Sequence, residues 1–191
     1  MTGSHDVERL MTVMLRITKD DRRLARDLVK AFSLIQFTIP GVPLKYYGAE
    51  SCLEGERDPD NRRTYPWGHE DKELLSFYKK MIAIHKKYRI LRTGSLKFLW
   101  NDYQGLCYGR FSHIEQMIVV LNNRDEGREV TIKVWPAGIT RMEEVSMTRL
   151  IRSSQDGYND RPKEIRARAG MVNLYLPPRS VTLLYHKDKI S

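Results

Sequence analysis

The sequence is poor in the features that would assign it quickly to a class. It has two cysteines among 191 residues, Cys52 and Cys107, far apart and without CxxC spacing, so neither a zinc site nor a disulfide framework is indicated. Both read as free thiols. No apolar run approaches the roughly eighteen residues needed to span a bilayer, and no charged region followed by an apolar core opens the chain. Acidic residues are also in deficit, 24 against 33 Lys and Arg, which leaves a formal charge of +9. A charge of that sign suits nucleic acid or an anionic membrane surface. Its distribution argues otherwise, because the basic residues are spread over most segments. The densest group, Lys79, Lys80, Lys86 and Lys87, falls where a helix would face solvent. With no arginine-rich tail and no RNA-binding aromatic motif, neither nucleic acid nor membrane is expected as a partner.

What is present is enough apolar material for a core, 41% of the residues, in one domain or two small ones. After Met1 to Asp6 (MTGSHD) the hydrophobic pattern begins abruptly. Leu24, Leu28, Phe32, Ile35 and Ile39 recur at spacings of three or four, predicting an amphipathic helix over Asp20 to Ile39. Asp20 or Asp21 would cap it, Asp27 and Lys30 would stay outside, and Pro40 would end it. A short strand is expected at Leu44 to Tyr47. Glu70 to Tyr88 is the clearest helix, with Leu74, Phe77, Tyr78, Met81, Ile82 and His85 on one stripe. His85 there reads as a packed, hydrogen-bonded histidine and not as a metal ligand. Thr93 and Gly94 mark a boundary.

Beyond Gly94 the texture changes to short strand-like runs: Leu96 to Trp100, Gly105 to Phe111, Gln116 to Leu121, Glu129 to Trp135, Glu143 to Leu150, Met171 to Leu176 and Val181 to Tyr185. Turn formers separate them at spacings that fit an antiparallel sandwich. Ser153 to Arg168 is polar and weakly patterned, and is expected to be a long or partly mobile loop. A helix–strand–helix portion alone is a poor folding unit, since parallel strands are normally buried inside larger α/β structures. That portion reads as a slice of something bigger.

Pro40 to Trp67 packs turn formers, aromatics and paired charges more densely than any other stretch. Pro40, Gly41 and Pro43 punctuate its entry; Tyr46, Tyr47, Gly48 and Glu50 follow. Asp58-Pro59-Asp60-Asn61-Arg62 leads on to Tyr65 and Trp67. Near the start, Gly3-Ser4-His5-Asp6 precedes Glu8 and Arg9. These three motifs, in this order and followed by a helix and a β-domain, resemble the α-amylase superfamily of retaining glycosidases, in its neopullulanase, cyclomaltodextrinase and maltogenic amylase branch. The first is similar to the end of barrel strand seven and the second to strand eight and its exit. The third resembles the loop that contacts glucan beyond the cleavage point. Lys45 and Ala49 depart from the family pattern.

The resemblance implies the last strands and helices of a (β/α)8 TIM barrel over residues 1–92, then an antiparallel β-sandwich, domain C, over 93–191. It gives Asp6 the role of the carboxylate that stabilises the oxocarbenium-like transition state. His5 becomes a substrate-binding neighbour, and Asp58 with Arg62 a pair that holds sugars further along. An ionised Asp accepts from sugar hydroxyls, His donates, and Arg offers a planar fork of donors, so the residue types fit. Read without the resemblance, Asp6 is a helix N-cap and Asp58 with Arg62 a surface ion pair. Tyr46, Tyr47 and Trp67 either stack on sugar or fill a core, and Glu50 is a structural acceptor. The implied partner is an α-glucan oligosaccharide; no cofactor is implied, and although calcium is compatible with the parent, no site for it is evident. A retaining mechanism needs a nucleophilic carboxylate and an acid about 5 to 5.5 Å apart. In the family these come from strands four and five, expected upstream of Met1, so this chain alone is expected to be inactive and to pair with the missing barrel half or self-associate. The alternative is a non-catalytic glucan-binding or structural module. The compartment stays open, with the cytoplasm favoured.

Overall fold

The computed structural model describes residues 3–138 and 144–188. The chain divides into two units, one made of Met1–Phe37 with Gly41–Lys87, the other of Thr38–Pro40 with Tyr88–Ser191.

The first unit is built on α1 (Leu10–Ile17), α2 (Arg22–Thr38, whose last residue belongs to the second unit) and α3 (Lys72–Lys87), with single 3-10 turns at Ala49–Ser51 and Asp60–Arg62. Asp21 caps α2: its carboxylate accepts the Leu24 N–H at 3.0 Å. Asp71 caps α3 through the Leu74 N–H at 2.8 Å. The periodicity located α2, but the face turned inward is Ala25, Val29, Ser33, Leu34 and Phe37. Leu24, Leu28 and Ile35 are only half-buried, and Phe32 and Ile39 are exposed.

The same rotation overturns the expected placement of Asp27 and Lys30, which are both buried. Lys30 Nζ lies 3.0 Å from Asp27 and 2.9 Å from Glu73 of α3, so the charged pair faces a neighbouring helix that supplies a second carboxylate. Ser33 Oγ meets Tyr78 Oη at 2.6 Å, and Phe37 packs edge-on against Tyr78 and His85. His85 Nδ1 is 2.8 Å from the Phe37 carbonyl, the packed histidine expected from its stripe. Ile84, missed by that stripe, is buried as well.

Leu44 to Tyr47 is not a paired strand. A strand exists through ladder bonds to a neighbour, and the described part of this unit contains no other strand; the Leu44 carbonyl instead accepts from Gln36 Nε2 at 2.6 Å.

The second unit begins with Thr38–Pro40 and the short α4 (Ile90–Thr93), and its described residues then run through nine strands: β1 (Ser95–Asp102), β2 (Gly105–Phe111), β3 (Glu115–Asn122), β4 (Arg128–Lys133), β5 (Val145–Ser154), β6 (Gly157–Asn159), β7 (Lys163–Arg168), β8 (Met171–Leu176) and β9 (Ser180–Lys187). All pairings are antiparallel, in the order β1-β2-β3-β9-β5-β7-β8-β4, with β6 on β5. Ile118, Val120, Ile132, Met147, Val172, Leu176 and Leu184 share one core, so the sheet closes over a single apolar interior. This is the expected antiparallel sandwich.

Two boundaries differ from expectation. Trp135 sits in a 3-10 turn (Trp135–Ala137), because Pro136 has no N–H to continue a ladder. Ser153 to Arg168 is not a loop: it completes β5 and carries β6 and β7. Glu143, the expected start of β5, lies outside the described residues. Arg110 is buried and saturated within this unit, donating to the carbonyls of Thr38 (2.9 Å), Leu91 (2.9 Å) and Gly94 (2.7 Å). Burial lowers its pKa from the ordinary arginine value.

Candidate functional site

The residues singled out from the sequence all belong to the first unit, on irregular backbone before α1 and between α2 and α3. Irregular backbone needs side chains to hold it, because it lacks a ladder or helix of its own. Asn61 does most of that here. Fully buried, it donates from Nδ2 to the carbonyls of His5 (2.8 Å) and Val7 (3.0 Å), tying the N-terminal turn to the 58–62 loop.

Arg9 completes the tie. Its backbone N–H reaches the Gly55 carbonyl at 2.9 Å, its Nε donates to the Asn61 carbonyl at 2.7 Å and its Nη1 to the Tyr47 carbonyl. The guanidinium lies 4.2 and 4.4 Å from the ring centroids of Tyr46 and Tyr47, a buried cation covered by two aromatic faces. Gly55 is needed at this crossing, since a Cβ there would stand 2.6 Å from the Asp60 carbonyl oxygen.

The lock brings Asp6 and Asp58 to the walls of one open cleft of about 670 Å³, with Gly3, Val7, Glu8, Arg57 and Phe32. His5 and Asp6 are exposed and pair with each other at 3.1 Å. Asp6 is not a helix cap: α1 starts at Leu10 behind Arg9, without a side-chain cap. Asp58 and Arg62 form an exposed ion pair at 2.6 Å. Asp60 is spent on structure, accepting the Glu56 N–H at 2.7 Å and Arg63 Nε at 2.7 Å, which hold its carboxyl below the usual carboxylate range.

The aromatics divide. Tyr46 and Tyr47 give their faces to Arg9, and Tyr47 Oη donates to the Arg63 carbonyl at 2.8 Å. Trp67 is 79% exposed beside Tyr65, with ring centroids 4.6 Å apart, so it fills no core. Lys45 and Glu50 satisfy each other in an ion pair, which gives the departing lysine a partner and Glu50 the structural part expected of it. Cys52 is half-buried beside Asp71, and burial first, then that carboxylate, push its thiol up to about 12. Neither cysteine is in a disulfide. Among the described residues, no group of three or more His, Cys, Asp or Glu side chains is arranged to hold a metal, and no helix is long and apolar enough to cross a membrane.

Arg9 and Asn61 are not among the site residues expected from the sequence, although both lie inside the motifs that carry the resemblance. Only burial distinguishes them from the other polar residues there.

No protein-family model matches the chain. Its sequence is 34% identical over 149 residues to an amylopullulanase of Thermoanaerobacter thermohydrosulfuricus, covering 69% of this chain and 10% of that protein. It is 35% identical over 138 residues to a cyclomaltodextrinase of Geobacillus thermopakistaniensis, covering 70% and 22%. In three dimensions it matches an α-amylase from Geobacillus thermoleovorans, solved with acarbose, with a TM-score of 0.78 at 22% identity, over 97% of this chain and 38% of that one. The fold is thus that of α-amylase family enzymes, and the antiparallel unit is their C-terminal β-sandwich domain. Over about 70% of its length the chain is homologous to amylopullulanases, cyclomaltodextrinases and neopullulanases, and its structural neighbours are α-amylase family enzymes. It spans a tenth of the amylopullulanase and about a fifth of the cyclomaltodextrinase.

Proposed function

We propose that this chain supplies one wall of the substrate cleft of a retaining α-glucan hydrolase acting on starch, maltodextrin or cyclodextrin. One observation carries the reading: Asn61 and Arg9 lock two separate loops so that Asp6 and Asp58 line the same cleft. Names of relatives support it, being those of glucan-acting enzymes. In this reading residues 1–92 are the barrel's last portion and 93–191 domain C. Asp6, ionised, accepts hydrogen bonds from ring hydroxyls and stabilises positive charge developing at the anomeric carbon. His5 donates to a neighbouring hydroxyl. Asp58 and Arg62 hold sugars further along, one accepting and one donating.

The nucleophile and the general acid match none of the motifs in this sequence, so the 191-residue chain is expected to be inactive alone and to work with a complementary barrel portion. An assay on maltooligosaccharides and cyclodextrins should give no turnover above background; turnover would overturn this part of the proposal. A second reading, a glucan-binding module without catalysis, is favoured by the exposure of Trp67 beside Tyr65. Calorimetry with maltoheptaose separates the readings from a purely structural piece. Binding lost in Asp58→Ala or Trp67→Ala supports glucan contact, and no binding favours the structural piece.

A further inference from the structure

A second cavity, within the β-sandwich, has a chemistry the glucan reading does not use. Strands β7 and β8 share only two ladder pairs, Ala167 with Val172 and Arg168 with Met171, after which β8 continues along β4. Away from their turn the two strands part, and the gap holds a recessed pocket of about 300 Å³. Its polar walls are Arg149 and Arg152 of β5, Lys163 of β7, Asn173 and Tyr175 of β8, and Thr182 of β9; the rest of the lining is aliphatic.

Among the described residues, three cations and no carboxylate line this space. Arg149 is 8% exposed, and its Nε is buried with no hydrogen-bond partner. Only its Nη2 is engaged in the described contacts, with Asn159 Oδ1 at 3.2 Å and the Arg161 carbonyl at 3.3 Å. Burial first, and then the Arg152 charge, lower its pKa from the ordinary arginine value. Among the described residues no acidic side chain forms an ion pair with Arg149, Arg152 or Lys163. The other buried guanidinium of this unit, Arg110, differs in being saturated by carbonyls. Asn173 spends its carbonyl oxygen on Thr131 Oγ1 at 2.7 Å, which leaves its NH2 to offer. A buried cation keeps its charge at least cost when something negative reaches it. Every charged group of the lining is a donor, and its hydroxyls and amide donate as well.

We propose that this pocket binds a small phosphate-class oxyanion, either free or as the phosphoryl group of a small sugar phosphate, with Arg149, Arg152 and Lys163 as its anchors. The recess suits a compact anion rather than a polymer strand. The inference is independent of the glucan cleft, which lies in the other unit.

The test is calorimetry on the full chain at neutral pH and constant ionic strength, with inorganic phosphate and glucose 6-phosphate titrated separately. Saturable one-site binding of at least one of them is expected, weakened about tenfold or more in Arg152→Gln/Lys163→Gln. Similar affinities assign the free ion, and tighter sugar phosphate assigns the conjugate. Arg149→Met should abolish the response. Lys163→Gln alone, at an exposed side chain, should weaken it and keeps the test independent of folding. The proposal is overturned if neither anion binds saturably, if chloride gives the same heats, or if Arg152→Gln/Lys163→Gln binds like the parent.

Discussion

At the scale of single residues, the cleft depends on an asparagine that touches no substrate in the proposed reading. Asn61→Leu removes both hydrogen bonds to the partly buried His5 and Val7 carbonyls, a net loss of about 0.5 to 1.5 kcal/mol for each bond. Urea unfolding should register that loss, and maltoheptaose affinity should fall with it because the Asp6 turn is freed. Arg9→Lys is not conservative either, since an ammonium cannot reproduce the fork held between Tyr46 and Tyr47. The sequence made His5, Asp6, Asp58 and Arg62 visible because the family motifs name them. It could not single out Asn61 among its polar neighbours Asp60 and Arg63, because what sets Asn61 apart in the fold is its full burial beside the crossing at Gly55. Both thiols are expected to resist alkylation in the native chain at mildly alkaline pH and to react on unfolding. Burial raises each, so little thiolate is present; rapid native labelling of Cys52 would contradict this.

At the scale of elements, α2 and α3 are joined through charge as much as through apolar packing. Lys30→Met should destabilise by about 3 to 5 kcal/mol in urea, because it strands Asp27 as an unpaired buried carboxylate. Asp71 predicts a pH dependence. Burial is the largest single influence and raises its pKa, but the Leu74 N–H, Arg26 and Cys52 together outweigh it and hold the carboxyl below the usual range. Its stabilisation is therefore fully present above the unfolded value, about 3.9, and is lost as pH falls through the depressed folded value. Asp71→Asn keeps a capping oxygen and removes the charge, so it should lose stability at neutral pH and flatten the acid limb of the midpoint curve. Asp27 acts in the opposite sense: burial raises it, so its contribution is complete below the unfolded value and declines as pH rises through the raised folded one. The strands of the sandwich were legible because apolar runs alternate with turn formers. Strand β7 was not, since only Ala167 is buried while Glu164, Arg166 and Arg168 face solvent. The period of helix α2 is legible in the sequence but its rotation is not, because a buried ion pair leaves no apolar mark.

At the scale of the whole chain, the first unit leaves Ile17, Phe32, Val42 and Leu44 exposed, Val42 at 93%. Apolar side chains left in water in this number favour association. Light scattering should find a mass that rises with concentration, and Val42→Asp/Leu44→Asp should lower it; a strictly monomeric chain would count against the proposed need for a complementary partner. The sequence suggests an incomplete folding unit from a helix–strand–helix order, but the strand expected at Leu44 to Tyr47 is not formed, so the expectation of association rests on these exposed side chains instead. Which side chains stay uncovered depends on how the helices are rotated in the fold, which their periodicity alone does not fix.

Trp67 has a practical consequence. Of the three tryptophans, Trp100 lies under the Arg128 guanidinium at 4.6 Å and Trp135 is held in its 3-10 turn, while Trp67 stands 79% in water. The chain thus carries its own optical reporter, on the loop that follows Asp58 and Arg62. Its emission should contain a red-shifted component that acrylamide quenches readily, and an oligosaccharide laid across the indole should shift that component to the blue and shield it.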